Sequence, residues 1–591
     1  MKHQLEEIVP LCLSEEAALK GLFLGPQAEN SQWVATQINT LLNSWFDWRR
    51  RFRPGDGQAV SRSDMESADY IKRRQHTADV LQELASRFER EIPKFSPRYI
   101  GHMFSETSLP ALFGHILTLL HNPNNISGES SWVGVSIEEE AIAALSQMMG
   151  LEKAVGHFTS GGTIANFEAV YRARTRCYSW MVAGLEQGCC SAFASASMGY
   201  RSYKEISEAV KVSAERLNPF EGNPFVAARA ISQKIGRDFL GPVLLIPEHK
   251  HYSWTKSANI FGLGAEALWP VQLDSRGHLD LRSLTAQIQR AQREDRPILM
   301  VVSVLGTTEL GMVDPIHEIQ ELLDMYRQVE GWHIWHHVDA AYGGFLCSLR
   351  GKNSEVSSVL SSQSLKAVEA MGRVTSVTID PHKLGYVPYS SGAFIAADER
   401  DYFQRSFGAP YVNFAVNKDK GPFTLEGSRS AAGAVATWMT AQCVGFSQEG
   451  YGRLIARTIR LRKELEDRLR SEVPNLRVAP SGDANLLGFC VAKPGDSLQE
   501  VNKRTLRLFE SFAADKESDF FISKTKIYKK CYAKYFESFV SSWQGKMDSE
   551  ELVLARICIM NPFFKTKEMN VDFQNLFVSS LRERLKALDR S

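Results

Sequence analysis

Lys383 is the residue in this sequence whose setting best suits covalent chemistry. It stands in the segment Asp380-Pro-His-Lys-Leu-Gly385, directly after a β-branched run, Val377 to Ile379, that predicts a strand. Pro381 stiffens the segment, and Gly385 allows a sharp turn. A lysine beside a histidine at the end of a buried strand loses its proton more easily than a free one, and such an amine can form a Schiff base with an aldehyde. Most lysines are solvated charges, so the neighbours decide what this one means.

A carboxylate suited to the same chemistry is Asp339, in the string His337-Val-Asp-Ala-Ala-Tyr-Gly-Gly344. It ends an apolar run, and a buried carboxylate needs a cationic or hydrogen-bonding partner. A protonated pyridine nitrogen is such a partner, and keeping it protonated makes the ring an electron sink. Ala340 and Ala341 would let a flat ring lie close to the backbone.

The histidines of this region also permit a metal site. His333, His336 and His337 lie within five residues of one another. Strand alternation sends His336 to the opposite face from His333 and His337, so the three cannot converge on one ion. No metal is therefore predicted.

Two further segments would complete a site for a flat ring that carries a phosphate. Phe158-Thr-Ser-Gly-Gly-Thr-Ile-Ala-Asn166 runs into a predicted helix, and its small residues would expose N–H groups to the phosphate. His249-Lys-His-Tyr-Ser-Trp254 follows a strand, and an imidazole there can stack on an aromatic ligand or transfer a proton. Each segment has a plainer interpretation, a simple glycine turn and a loop histidine. The turn matches neither a Walker sequence nor a full G-x-G-x-x-G, so no nucleotide is predicted.

Strands and helices alternate between about residues 150 and 400, and they would bring these segments together. The predicted strands are Val243 to Ile246, Ile298 to Val304, Ile334 to Val338 and Ser376 to Ile379. Amphipathic stretches, Leu284 to Gln292 and Ile316 to Tyr326, separate them. This pattern predicts an α/β fold with a mostly parallel sheet buried on both faces, in which ligands bind at the carboxyl ends of the strands.

The chain divides into three predicted parts. Residues 1–125 are predicted to be helical, with aromatic side chains that need a surface to cover, either on the same chain or on a partner subunit. Residues 126–430 form the large α/β domain, in which Glu138 to Glu140 would open a long helix. Residues 431–591 form a smaller α+β domain. Within it, the stretch 516–546 is predicted to be a solvated insertion rather than a nucleic-acid or membrane patch.

The composition argues against several other classes of function. Basic and acidic residues nearly cancel to a formal net charge of +1, which favours neither nucleic acid nor an anionic membrane. The nine cysteines are odd in number and form no C-x-x-C pair, so neither a disulfide framework nor a zinc site is expected. The chain starts without the apolar core of a signal peptide, and no run of about 18 apolar residues occurs. We therefore expect a soluble, cytoplasmic protein.

The chain resembles the fold-type I, pyridoxal-phosphate-dependent amino-acid decarboxylases of group II, which include glutamate, aromatic-amino-acid and bacterial tyrosine decarboxylases. The strings around Asp339 and Lys383 are highly specific for this family. The strings that resemble the bacterial L-tyrosine decarboxylase branch are Arg98-Tyr-Ile-Gly-His-Met103, Ser105-Glu-Thr107, Asn124-Asn125 and Lys250-His-Tyr-Ser-Trp254. The resemblance implies a large domain that binds pyridoxal phosphate and a homodimer in which the N-terminal segment wraps over the partner.

The resemblance also implies a role for each matching residue. Lys383 would hold the cofactor covalently, Asp339 would pair with the pyridine nitrogen, and His251 would stack on the ring. The other implied cofactor residues are Gly162, Thr163 and His382 at the phosphate, Thr308 and Ala341 near the ring, and Ser428 from the neighbouring subunit. Tyr411 would protonate the carbon that loses the carboxylate, and a tyrosine there favours simple decarboxylation over aldehyde formation. The implied substrate residues are Tyr99, His102, Tyr389, Asn561 and Arg556, the last of which would neutralise a carboxylate.

The substrate remains open between two classes. The tyrosine branch has a hydroxyl residue between Met and Pro near its C-terminus, whereas this chain reads Met560-Asn561-Pro562, a pattern that glutamate decarboxylases share in part. Tyr99 and His102 favour L-tyrosine or a related aromatic amino acid, and an acidic amino acid is the alternative. A carbon–carbon lyase or an aldehyde synthase on the same cofactor is a further alternative. Lys383 argues against a scaffold protein without cofactor.

Overall fold

The computed structural model describes residues 16–209, 217–351, 354–408, 419–513 and 518–590. Its strands are β1 Val155–Thr159, β2 Val243–Pro247, β3 Leu268–Val271, β4 Ile298–Val304, β5 His336–Ala340, β6 Ser376–Ile379, β7 Gly392–Ala396, β8 Leu476–Val478, β9 Leu486–Val491, β10 Ser523–Tyr528 and β11 Glu551–Cys558.

Helices connect the strands and precede them. They are α1 Glu16–Lys20, α2 Ser31–Phe52, α3 Arg62–Glu66, α4 Ala68–Phe88, α5 Leu109–His121, α6 Trp132–Met149, α7 Gly162–Glu186, α8 Ala192–Ala196, α9 Tyr200–Ala209, α10 Pro224–Ile235, α11 Ser253–Ile260, α12 Leu281–Arg293, α13 Ile316–Val329, α14 Ser362–Glu369, α15 Glu399–Tyr402, α16 Ala432–Val444, α17 Arg453–Glu472, α18 Leu498–Ala513, α19 Ala533–Ser541 and α20 Phe573–Arg590.

The central sheet has the strand order β1-β7-β6-β5-β4-β2-β3. Neighbours from β6 to β3 pair in parallel, whereas β7 runs antiparallel to both β6 and β1. The predicted strands match β2, β4 and β6. The strand predicted at Ile334 to Val338 is β5, which begins two residues later than predicted. Its pairing with β4 starts at Val301 and His336. The prediction of a mostly parallel sheet is confirmed.

Alternating side chains bury the central sheet on both faces. On β2, Leu244 and Ile246 pack against α7 on one face of the sheet. The alternate residues Val243 and Leu245 pack toward α12 and α13 on the other face. A strand buried on both sides needs apolar residues at nearly every position, which is why these strands appear as continuous apolar runs.

A second sheet, antiparallel in the order β10-β11-β9-β8, lies in the C-terminal part. One face packs against α17, α18 and α20, and the other packs around α19. The prediction of a solvated insertion at 516–546 is wrong for most of that stretch. It supplies β10 and α19, whose Tyr535, Phe536, Phe539 and Val540 are buried, because its aromatic residues recur at helical spacing on one face.

The N-terminal helices leave a large apolar surface uncovered. No residue of α4 is buried, and Leu81, Leu84 and Phe88 are among its exposed apolar side chains. On α2 only Val34 is buried. Helices α1 to α5 lie in the described part of this segment.

The long helix before β1 does not begin at Glu138, as the acidic run predicted. It begins at Trp132, because the Ser131 hydroxyl accepts a hydrogen bond from the Gly134 N–H and caps the helix there. Glu138 lies in its interior, fully buried against Arg429, and accepts from the Phe158 N–H at 2.8 Å. The acidic residue is thus half of a buried ion pair rather than a charge at the helix start.

Among the described helices, none combines the length and the apolar character required to cross a bilayer.

Candidate active site

A cavity of about 370 Å³ lies at the carboxyl ends of β1, β2, β4, β5 and β6. The predicted site residues that line it are Gly162, Thr163, His251, Thr308, Asp339, Ala341, His382, Lys383 and Tyr389. The chain brings them together because parallel strands end at the same edge of the sheet. Lys383 and Asp339 therefore share one hollow, although they are far apart in sequence.

The loop after β6 places Lys383 beside a buried carboxylate. The Lys383 Nζ atom lies 3.0 Å from Oδ2 of Asp380, which is 2% exposed. The loop turns so tightly that a Cβ at Gly385 would lie 2.4 Å from the Pro381 carbonyl oxygen, so this position requires glycine. Oδ1 of Asp380 is buried and has no partner in the part of the chain that the structure describes. This oxygen leaves room for a hydrogen-bond donor in the cavity.

Asp339 is the last residue but one of β5 and is held by neutral donors. Its Oδ2 accepts from Asn166 Nδ2 at 2.9 Å and from Trp254 Nε1 at 3.0 Å. Its Oδ1 accepts from the Ala341 N–H at 3.3 Å. Within the described ranges no lysine, arginine or histidine forms an ion pair with it. A buried carboxylate that has only neutral partners favours a cationic group in the cavity.

His251 is a neutral imidazole with a defined proton position. Burial lowers its pKa, and the positive charges of Lys383 and Lys256 add to that effect. Its Nδ1 accepts from the Ser253 N–H at 3.3 Å, so the proton of the neutral ring lies on Nε2. An uncharged ring at this place can lie against a flat aromatic ligand.

The turn from β1 into α7 could hold an anion. α7 starts at Gly162, and the first N–H groups of a helix have no acceptor within the helix. A Cβ at Gly162 would lie 2.8 Å from Oδ2 of Asp380 and 2.9 Å from Cβ of Ala341, so the position requires glycine. The close approach brings the helix start to the lysine loop and to the strand of Asp339.

His382 closes the same side of the cavity. Its Nδ1 accepts from the Ser391 N–H at 3.0 Å, and its ring stacks on Tyr389 with 4.1 Å between centroids. Burial lowers the pKa of His382, so the ring is neutral at pH 7 and carries its proton on Nε2. That N–H can donate to an anion at the helix start.

These groups fit one kind of ligand. A lysine amine suits an aldehyde, a carboxylate with only neutral partners suits a cationic ring nitrogen, and a helix start next to an imidazole N–H suits a phosphate. The residues present therefore fit pyridoxal phosphate.

Comparison with known proteins agrees with this donor set. A model of the pyridoxal-dependent decarboxylase conserved domain matches residues 238–487. The chain is 29% identical over 613 residues to the L-tyrosine decarboxylase of Levilactobacillus brevis, covering 96% of each chain. It is 28% identical over 617 residues to the L-tyrosine decarboxylase of Enterococcus faecalis, covering 97% of this chain and 98% of the other. The chain contains a pyridoxal-dependent decarboxylase conserved domain.

The fold of the decarboxylase agrees with a solved structure of similar extent. Mouse CSAD in its apo form superposes with a TM-score of 0.62 at 19% identity, covering 93% of this chain and 98% of the mouse chain. The predictions of a fold-type I architecture, an amino-acid decarboxylase and pyridoxal phosphate as cofactor are confirmed.

The decarboxylase holds most of the predicted substrate residues just beyond the cavity wall. Arg556 is 5% exposed, and its Nη1 donates to the carbonyl oxygen of Thr308 at 2.6 Å. Its Nη2 lies 3.3 Å from His102 Nδ1. Phe104 stacks on both His102 and Tyr99 and meets Tyr389 edge to face. Arg556 thus reaches the cavity through Thr308, and the aromatic group reaches it through Tyr389.

Two predicted residues lie away from the first cavity, and a third is not among the described residues. The amide of Asn561 donates to the Phe95 carbonyl oxygen and accepts from the Phe563 N–H, so both of its ends are engaged by backbone. Ser428 lines a second cavity of about 280 Å³, which shares Ser160 and Tyr389 with the first. Tyr411 lies outside the described residues. The roles of all three stay predictions.

Sequence reasoning missed Asn166, Trp254 and Asp380 as functional residues. All three line the cavity or contact a residue that does. Asn166 and Trp254 each stand at the end of a string singled out above, and Asp380 precedes Lys383 by three residues, so position alone could have drawn attention to them. The sequence does not show that Asn166 and Trp254 both donate to the carboxylate of Asp339.

The histidines of β5 are structural. His336 contacts Ser303 at 2.9 Å and Gln320 at 2.9 Å, and His337 contacts Ser376 at 2.8 Å. Across the described chain no group of three or more potential ligands could hold a metal ion.

Proposed function

We propose that this decarboxylase converts L-tyrosine, or a related aromatic L-amino acid, to the amine and carbon dioxide. The observation that carries the proposal is the similarity to two L-tyrosine decarboxylases along nearly the whole chain. That similarity includes the N-terminal and C-terminal segments that supply Tyr99, His102 and Arg556, and it is not confined to the cofactor domain.

The aromatic group beside the cavity supports an aromatic substrate. Phe104 lies between Tyr99, His102 and Tyr389, with centroid distances of 5.6, 5.9 and 6.1 Å. The hydroxyl of Tyr389 is neutral at pH 7 and can exchange hydrogen bonds with a phenol. Stacked and edge-to-face rings offer a surface that an aromatic side chain can join.

The residues divide the work of the reaction. Bound pyridoxal phosphate supplies an electron-accepting ring. Lys383 would bind the cofactor through its amine, Asp339 would stabilise a positive charge on the ring nitrogen, and His251 would lie against the ring. Arg556 is proposed to attract the substrate carboxylate. Tyr411 is proposed to return a proton to the carbon that loses carbon dioxide, and it lies outside the described residues.

A panel of amino acids tests the substrate. We expect the highest kcat/KM for L-tyrosine among L-tyrosine, L-phenylalanine, L-tryptophan, L-glutamate and L-aspartate, with amine and carbon dioxide formed in equal amounts. Amine is measured by chromatography and carbon dioxide by a coupled assay. Preference for glutamate or aspartate would overturn the aromatic substrate and leave decarboxylation intact. Aldehyde and ammonia in place of amine would instead indicate an oxidative reaction.

We also propose that the functional unit is a homodimer formed through the N-terminal helices. Leu81 and Phe88 are 65% and 66% exposed, and Trp132, at the start of α6, is 83% exposed. An apolar surface of this extent is unusual on a single chain in water, and a second copy would cover it. The cavity of Ser428 adjoins the cofactor cavity, where a partner subunit could approach it.

Charge placed on this face tests the dimer. Leu81 and Phe88 stand two turns apart on one side of α4, so the variant L81D/F88D should sediment as a single chain and lose most activity. The matched control is V329D, because Val329 is 73% exposed at the end of α13, before β5 begins and away from the cavity. It should remain dimeric and active. An active wild type that sediments as a single chain would contradict the proposal.

A further inference from the structure

His249 is a second histidine at the cofactor cavity, and the proposed function gives it no role. It follows β2, is 3% exposed and lines the cavity two residues before His251. Its Nε2 lies 3.0 Å from Oδ1 of Asp314. A carboxylate can only accept, so Nε2 carries a proton and donates it. The Nδ1 atom is buried without a hydrogen-bond partner among the described residues.

Asp314 joins His249 to the next strand of the sheet. The carboxylate is fully buried and also accepts from the Leu279 N–H and the Val304 N–H, each at 2.8 Å. Val304 is the last residue of β4 and lines the cavity. One buried carboxylate therefore ties the loop after β2 to the end of β4.

The segment between Val304 and Asp314 is a hairpin that delivers cavity residues. The Gly306 N–H donates to the Met312 carbonyl oxygen at 2.8 Å, and the Asp314 N–H donates back to the Val304 carbonyl oxygen at 3.0 Å. At its tip the hairpin presents Thr307 and Thr308, and Thr308 receives the hydrogen bond from Arg556. The position of this tip depends on how Asp314 is held.

We propose that His249, bound to Asp314, positions the two loops that form one wall of the pyridoxal phosphate cavity, and that its positive charge is part of that function. His249 is a positioning residue that acts through Asp314 and the backbone of His251. The proposal rests on the cofactor site and is independent of which amino acid is the substrate.

The surroundings of His249 favour its charged form. Burial opposes protonation, but the negative charges of Asp314 and Glu309 outweigh it, so the pKa of His249 is raised above its ordinary value. The pKa of Asp314 is lowered, because His249 and two backbone N–H groups outweigh the burial of the carboxylate. The other titratable or charged groups around the pair are Glu248, Lys250, Asp274, His278, Tyr532 and Arg556.

Glu309 and the second sheet shield the His249–Asp314 pair from solvent. The Glu309 carboxyl is buried next to Tyr532, and burial raises its pKa. The ring of Tyr532, which follows β10, lies 6.4 Å from the imidazole of His249. Because the His249–Asp314 pair is shielded from water, losing its charge should shift the position of the cavity wall more than losing the charge of a surface ion pair would.

The sign of the pH dependence follows from the raised pKa. A histidine with a raised pKa in the folded protein stabilises that fold fully at a pH below its ordinary pKa, and this stabilisation is lost as the pH rises through the raised value. In this proposal the stabilised part is the cavity wall. The affinity of the cavity for pyridoxal phosphate should therefore weaken above that value in the wild type.

Cofactor affinity measured without substrate tests the proposal. The dissociation constant of pyridoxal phosphate is titrated by absorbance between about pH 5 and 9 for the wild type and for His249→Gln. Glutamine can still donate to Asp314 but cannot carry the charge. We expect the variant to bind roughly tenfold more weakly at low pH and to lack the step at which the wild type weakens. Coincident pH profiles of the two proteins would refute the role of His249.

Two further variants keep the test decisive. His278→Gln makes the same change at a second histidine near Asp314 that does not line the cavity, and it should retain the wild-type profile. Glu309→Gln removes one of the negative charges that raise the pKa of His249, so it should move the step to lower pH. This second result stands even if His249→Gln does not fold. A step that stays in place in Glu309→Gln, or that disappears in His278→Gln, would also overturn the proposal.

Discussion

Replacing Lys383 with alanine is expected to abolish covalent attachment of the cofactor and to lower turnover on the order of 10³-fold or more. The amine is the group in this cavity that can form a bond to an aldehyde, and Asp380 holds it in place at 3.0 Å. The variant should lose the visible absorption of the bound cofactor. After reduction with borohydride, mass spectrometry should find the pyridoxyl label on the peptide of residue 383 in the wild type alone.

A second lysine near the cavity gives the matched control. Lys256 lies 4.7 Å from the ring of Tyr252, which lines the cavity. Lys256→Ala removes the same amount of side chain and charge close to the site, yet it should keep the attachment. Label on another lysine in the Lys383→Ala protein, or turnover near the wild-type rate, would show that Lys383 is not the point of attachment.

The Asp339→Asn enzyme should bind pyridoxal phosphate but turn over about 10²- to 10³-fold more slowly. The amide has nearly the same shape as the carboxylate and no charge. Asn166 and Trp254 would still surround the position, but the negative charge opposite the ring nitrogen would be gone. The rate is measured at saturating cofactor, so that a loss of affinity does not enter the comparison.

Trp254→Phe separates the charge of Asp339 from its positioning. This change removes one donor to the carboxylate at 3.0 Å and leaves the charge in place. A hydrogen bond to a charged group contributes about 1.5–3 kcal/mol, so the loss should be roughly tenfold to a hundredfold and smaller than that of Asp339→Asn. An Asp339→Asn enzyme with full turnover would mean that the protonation of the ring is maintained by another group.

The predicted cofactor residues could be found from the sequence because each lies at or shortly after the carboxyl end of a strand. Asp339 is the last residue but one of β5, Lys383 lies four residues after β6, and Gly162 starts the helix after β1. The carboxyl ends of parallel strands converge, so position along the chain translates into position in space without knowledge of side-chain packing.

The partners of those residues could not be predicted, because they depend on how separate elements pack. Asn166 and Trp254 meet on Asp339 from two helices, and Arg429 meets Glu138 from a segment 291 residues away. An acidic residue at the start of a run looks the same in sequence whether it faces solvent or an arginine. For that reason the acidic run predicts the start of α6 six residues too late, and the charges around 516–546 predict a solvated insertion.

The antiparallel course of β7 determines how Lys383 is tethered. Because β7 pairs antiparallel with β6, the connection between them leaves the sheet and returns to it at the same edge, without a crossover helix. Its two ends are braced against each other, since the His382 N–H donates to the Ser391 carbonyl oxygen at 3.2 Å. The Lys383 amine is thus carried by a short connection whose two ends are hydrogen-bonded to each other. A cofactor in the cavity would therefore stay within reach of the Lys383 side chain without any movement of the loop.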